Sequence, residues 1–88
     1  MDNFSFNVIE KDDEVMLLQH KTQPLLECKV RKRPNGFEFL MIQKFIEPPF
    51  KSYGPFIKNE KDIFDTAEEM FMTTIMIREE MKIGRAHV

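Results

Sequence analysis

The chain opens on an alternation. Phe4, Phe6 and Val8 are separated by Ser5 and Asn7, the period of two that a half-buried strand imposes, so a first strand is predicted there. The polar run Glu10-Lys11-Asp12-Asp13-Glu14 reads as a reversal. Val15-Met16-Leu17-Leu18 then resumes the apolar pattern and carries a second strand to about His20, making a meander ahead of the next element. Lys21-Thr22-Gln23-Pro24 supplies the link.

Residues 25–46 read as a β-hairpin turning at Arg33-Pro34-Asn35-Gly36-Phe37. Two turn geometries compete. In a two-residue type I′ turn, Asn35 and Gly36 both take positive φ. In the other, Pro34 and Asn35 form a type I turn and Gly36 takes the left-handed position of a bulge. The choice sets the register, and register decides which side chains share a face. The bulge is favoured because it pairs like with like. With Arg33 opposite Phe37, one face carries Leu26, Cys28, Val30, Leu40 and Ile42, closed near the turn by a Lys32–Glu38 charge pair. The other carries Lys29, Arg31 and Arg33 interleaved with Phe37, Phe39 and Met41. The I′ register would set Val30 against Met41 and Lys32 against Phe39, mixing the two faces.

Past Ile46 the pattern breaks. Pro48, Pro49, Pro55 and Gly54 oppose regular structure, while Phe50, Tyr53 and Phe56 argue against free solvation. An ordered loop over 47–57, folded across an edge of the sheet, is expected. Asp65-Thr66-Ala67-Glu68 then has the form of a capping box, with Asp65 capping and Glu68 reaching back, so a helix is predicted from there. At 100° per residue Ala67, Met70, Phe71, Thr74, Ile77 and Met81 form the core stripe, with Arg78 snorkelling outward at its far end. Met72 and Met76 fall on the wet side. The fold class that follows is α+β: an antiparallel sheet of about four strands with one C-terminal helix packed on one face. Strands followed by a helix opening Asp65-Thr66-Ala67-Glu68-Glu69 resemble small HicB-like antitoxin domains; the resemblance covers those five residues of capping chemistry and transfers no function.

Eighty-eight residues with 42% hydrophobic content suit one small domain, burying about 60% of the surface its unfolded chain exposes. Thirteen basic against fifteen acidic side chains give a net charge of −2. That balance points to no nucleic acid or membrane surface by bulk charge, so any such site is local. Cys28 has no partner for an intrachain disulfide, and neither a signal peptide nor a long apolar segment is present. The expected location is cytoplasmic.

The last seven residues, Lys82-Ile83-Gly84-Arg85-Ala86-His87-Val88, look foreign. Ile-Gly-Arg-Ala-His-Val is what ATC GGA AGA GCA CAC GTC encodes, which resembles the start of a common sequencing-library adapter. The expected division is a single domain over 1–81, cut inside or just after its helix, and a non-native tail over 82–88. Without Lys82 and Arg85 the thirteen basic residues become eleven against fifteen acidic ones, a charge of −4.

Catalysis needs a nucleophile, a base and an orienting group. Cys28 falls on the predicted core face, where a thiol acts as a small hydrophobe. His20 ends a strand beside Lys21, where a solvated ring is expected, and His87 belongs to the suspect tail. Ser52 and Tyr53, together with Asp12, Asp13 and Glu14, complete the candidates, none of them in a recognisable catalytic spacing. No CxxC, HxxE or HExxH pattern offers a metal site. Asp12-Asp13-Glu14 lacks the glycine and distal glutamate of a calcium loop, and isolated glycines cradle no phosphate. The chain is therefore read as non-catalytic, with no cofactor or metal.

Two surfaces remain. Met72, Ile75 and Met76 make an apolar patch suited to adaptable contacts with a protein partner or a second copy. Lys29, Arg31, Arg33, Phe37, Phe39 and Met41 make a basic-aromatic sheet face of the kind that stacks unpaired bases and neutralises phosphates. The alternative is that the Lys29 and Arg31 stems lie over Phe39 and Met41, or that the proline-rich loop covers them. The sequence favours a binding or regulatory module acting through protein contacts, with single-stranded nucleic acid as the alternative ligand and no membrane.

Overall fold

A computed structural model describes residues 3–86, with side chains as far as Glu80. The side chains of Met81 and of the suspected tail 82–88 lie outside what is described. Five strands form an antiparallel meander in sequence order: β1 (Phe6–Lys11), β2 (Val15–His20), β3 (Leu26–Arg33), β4 (Gly36–Gln43) and β5 (Phe50–Ile57). A short 3-10 turn at Glu60–Asp62 leads into α1 (Ile63–Ala86), which covers one face of the sheet. The α+β class follows from sequence. The fifth strand does not.

The region expected to be a loop is β5, an edge strand paired with β4. Pro55 is tolerated because the register shifts between Glu38 and Leu40, leaving Gly54 and Pro55 on β5 against Phe39 alone on β4. A proline at a bulge on an edge strand removes no ladder hydrogen bond that a central strand would need. The preceding connection contains a cis peptide bond at Glu47-Pro48.

The hairpin register differs from both expected ones. Pro34 and Asn35 alone make the turn, both with negative φ, and Arg33 faces Gly36. Val30 then faces Phe39, Cys28 faces Met41 and Lys32 faces Phe37. One residue of slip turns β4 over. Phe39 and Met41 join Leu26, Cys28 and Val30 in the core, whereas Leu40 and Ile42 move to the outer face. The glycine answers a tertiary demand here: a Cβ on Gly36 would meet the Ile57 carbonyl oxygen and, at 2.5 Å, the Phe56 ring. The expected Lys32–Glu38 pair is replaced by Arg33 Nε donating to Glu38 Oε1 at 2.7 Å on the outer face.

The core joins Phe6, Leu18, Leu26, Cys28, Val30, Phe39 and Met41 of the sheet to Ile63, Ala67 and Phe71 of α1. Each large apolar side chain so buried contributes about 1.5–3 kcal/mol. Phe6 anchors the N-terminal strand, its ring 5.5 Å from both Phe71 and Phe64. The helix is rolled relative to the predicted stripe. Its i, i+4 row Ile63, Ala67, Phe71 and Ile75 packs toward the sheet, and Ile77, expected inside, is 52% exposed.

The expected capping box is absent because α1 begins at Ile63, which places Asp65 in its first turn. There it still complements the helix dipole. Glu68 reaches to Ser5 instead. Arg78 does not snorkel away either. Its guanidinium sits 3.7 Å from the Phe45 ring centroid and donates to Gln23 Oε1 at 2.8 Å, tying the β2–β3 and β4–β5 connections to the helix.

Candidate interaction surfaces

Because α1 covers one face of the sheet, the domain presents two separate outer surfaces: the far side of the helix and the bare face of the sheet. On the helix, residues at alternating spacings of four and three fall along one side. Asp65, Glu69, Met72, Met76 and Glu79 have that spacing and are all exposed, with Glu80 beside them. Met72 and Met76 are 54% and 58% exposed. Two apolar turns are thus framed at each end by carboxylates. Ile75, expected to extend this patch, packs against the core instead.

A groove runs between α1 and β5. Met70, Thr74 and Ile77 of the helix face Ser52, Tyr53 and Gly54 of the strand across a space of about 380 Å³. It continues into a neighbouring space of about 390 Å³ reached by Ile46, Phe50 and Arg78. Gly54 permits the close approach, since a Cβ there would contact Met70 Sδ at 2.6 Å.

The bare sheet face is set by the pairings. Leu17 faces Lys29, Lys29 faces Leu40, and Leu40 faces Tyr53, making one row across four strands. Val15, Arg31, Glu38 and Phe56 make the row beside it, and Gln19, Glu27, Ile42 and Lys51 the row on the other side. Tyr53 and Phe56 are three residues apart, which in a regular strand would point them to opposite faces. The extra residue at Gly54-Pro55 restores them to the same one. Tyr53 is 72% and Phe56 48% exposed. Arg33 stands at the end of this face, bonded to Glu38, and Glu27 is paired with Lys44 at 2.9 Å.

The expected basic-aromatic set is therefore divided. Lys29, Arg31 and Arg33 do share the outer face, but Phe37, Phe39 and Met41 lie on the opposite one, with Phe39 and Met41 wholly buried. Tyr53 and Phe56 are not legible as outer-face residues in the sequence, because the composition of 47–57 predicts a loop with no alternation. Three aromatics in that stretch were the available signal, and the proline and glycine obscured it.

Three of the candidates, Cys28, His20 and Asp12, are engaged in the fold. Burial pushes the Cys28 thiol up to about 12, outweighing its backbone hydrogen bond with Leu40, and a thiol held protonated is a poor nucleophile. His20, expected to be solvated, is instead buried, because its Nδ1 accepts the backbone N–H groups of Thr22 and Gln23 at 3.3 and 3.2 Å and its ring packs against Phe71. Asp12 Oδ1 accepts those of Glu14 and Val15, both at 2.8 Å, and these bonds hold its carboxyl below the usual range. The acidic cluster is a solvated turn. Among the described residues no group of three or more His, Cys, Asp or Glu is placed to hold a metal, and no buried side-chain nitrogen or oxygen lacks a hydrogen-bond partner. Among them, too, no helix is long and apolar enough to cross a membrane.

Comparison with protein-family models, curated proteins and solved structures gave no match.

Proposed function

We propose that the chain is a small non-catalytic module acting through protein contacts, with the outward ridge of α1 as its contact surface. The observation that carries this reading is the framing of Met72 and Met76, one helical turn apart and both more than half exposed, by Asp65, Glu69, Glu79 and Glu80. Flexible thioether side chains in an exposed apolar patch suit a partner's apolar face. The carboxylates specify its charge. The partner is an amphipathic helix with a two-turn apolar centre and Lys or Arg on either side, because opposite charges at a contact rim favour encounter and fix register.

A second copy fits less well. Two such ridges crossed about Met72 and Met76 bring Glu69 of one toward Glu79 and Glu80 of the other, and like charges facing each other across a contact oppose association.

Two synthetic helical peptides with identical apolar faces, one flanked by Lys and one by Glu, test the reading by fluorescence anisotropy. The Lys peptide is expected to bind saturably and the Glu peptide not at all. Met72→Ser with Met76→Ser abolishes binding while the circular dichroism of the fold is kept. No binding of the Lys peptide, binding that survives both substitutions, or a concentration-dependent dimer in sedimentation overturns the proposal.

A further inference from the structure

From the other side of the domain we infer that the bare sheet face is a binding platform for single-stranded nucleic acid, built from Tyr53 and Phe56 of β5 together with Lys29 and Arg31 of β3. This goes beyond the protein-contact reading and rests on different residues.

Three observations converge on one surface. First, the bulge at Gly54-Pro55 turns both aromatic side chains outward on a strand whose regular alternation would separate them. A device that costs β5 its regular pairing places two exposed rings on the same face. Second, the Phe56 ring occupies the space over Gly36, where a Cβ would stand 2.5 Å from it, so a residue without a side chain leaves room for a ring against the sheet. Third, Lys29, Arg31, Glu38, Leu40 and Tyr53 line a single small cavity of about 40 Å³, so the cationic groups and the tyrosine converge. Leu40 supplies an apolar floor between them.

Charge selects the ligand. The chain as a whole is acidic at −2, yet this face gathers Lys29, Arg31 and Lys51 beyond the mutually neutralising Arg33–Glu38 pair. Its acids are Glu38, already bonded to Arg33, Glu27, paired with Lys44, and Glu10 near the β1 margin. A polyanion therefore meets attraction here and repulsion from the carboxylates of the helix ridge. Exposed aromatic faces beside Lys and Arg fit an unpaired strand better than a duplex, because stacking needs bases whose faces are free. Stacking is tolerant of base identity, so mixed-sequence DNA and RNA single strands are both appropriate probes.

The experiment is an anisotropy titration of the full chain with short labelled mixed-sequence DNA, RNA and duplex DNA, at low and at moderate salt. Saturable binding of single strands at low salt, with duplex much weaker, is expected. Tyr53→Ala is expected to lower affinity about tenfold, within the range for loss of one stacked base, with the salt dependence unchanged. Phe56→Ala does the same, and the highly exposed Tyr53 keeps the test valid should the Phe56 variant loosen the strand end. Arg31→Ala and Lys51→Ala instead flatten the plot of log affinity against log salt, each by about the 0.7 that one phosphate contact contributes. Met72→Ser changes nothing, which separates this surface from the helix ridge. Preference for RNA over DNA would assign a role to the 2′-hydroxyl, and equal affinity would assign recognition to bases and phosphates alone; either supports the platform. No saturable binding at low salt, equal binding of duplex, or binding indifferent to Tyr53→Ala overturns the inference, and binding of the Lys-flanked peptide lost on Tyr53→Ala reassigns the face to a protein.

Discussion

Glu68 on α1 and Ser5 ahead of β1 are joined by two hydrogen bonds across 63 residues of sequence: Glu68 Oε1 accepts the Ser5 backbone N–H at 2.9 Å and its hydroxyl at 3.0 Å. The Ser5 carbonyl in turn accepts the N–H of Lys21 at 2.8 Å. One carboxylate thus holds the N-terminal segment on the helix while that segment extends the pairing of β1 with β2.

Replacing it leaves a half-buried backbone donor to find water. Glu68→Ala is expected to destabilise the fold by about 1–3 kcal/mol, the range for leaving such a donor unsatisfied. Glu68→Gln, which keeps an acceptor oxygen, loses less. Chemical denaturation of both variants checks the order, and equal losses would contradict the bonding.

His20 gives the fold a pH dependence. Its buried ring packs edge-on at 5.4 Å from the Phe71 ring, and Nδ1 is an acceptor for two backbone N–H groups, which requires the neutral ring with its proton on Nε2. Burial lowers its pKa below the ordinary 6.5, with the Glu68 carboxylate opposing more weakly. A histidine whose folded pKa is depressed leaves the unfolded chain with more bound protons. Stability is therefore full above about 6.5 and is lost as pH falls from there toward the folded pKa. Denaturation midpoints between neutral and mildly acidic pH measure the effect, and His20→Gln should flatten the dependence across that window.

The two glycines at β5, Gly36 against its outer face and Gly54 against the helix, should not be equivalent. Gly36→Ala drives a Cβ into the Ile57 carbonyl oxygen, backbone that cannot step aside, whereas Gly54→Ala meets chiefly the flexible end of Met70. Overpacking of this kind costs about 1–3 kcal/mol. The Gly36 variant should fall at or above the top of that range and the Gly54 variant near the bottom. Matching thermal shifts for the pair would contradict the packing around β5.

The contrast between β3 and β4 shows what was legible in the chain. Leu26, Cys28 and Val30 alternate with charged residues, so the inward face of β3 could be read directly. On β4, residues 37–42 are apolar at every position but Glu38, and alternation carries no information there. Turn chemistry had to supply the register, and the close approach of β5 to Gly36, a contact some twenty residues away, settled it otherwise. The same long-range pairing made a strand of a segment whose proline and glycine read locally as a loop. The basic half of the outer face was visible from Lys29, Arg31 and Arg33. Its aromatic half depended on a bulge that no period of two predicts.

That outer face stands or falls with two registers, and cross-strand nuclear Overhauser contacts in solution measure them directly. The expected pattern links Lys29 to Leu40 and Leu40 to Tyr53, with Val30 opposite Phe39 and the Phe39 ring close to core side chains. Contacts placing Val30 opposite Leu40, with Phe39 beside Lys29 and Arg31, would contradict it and return β4 to the other face.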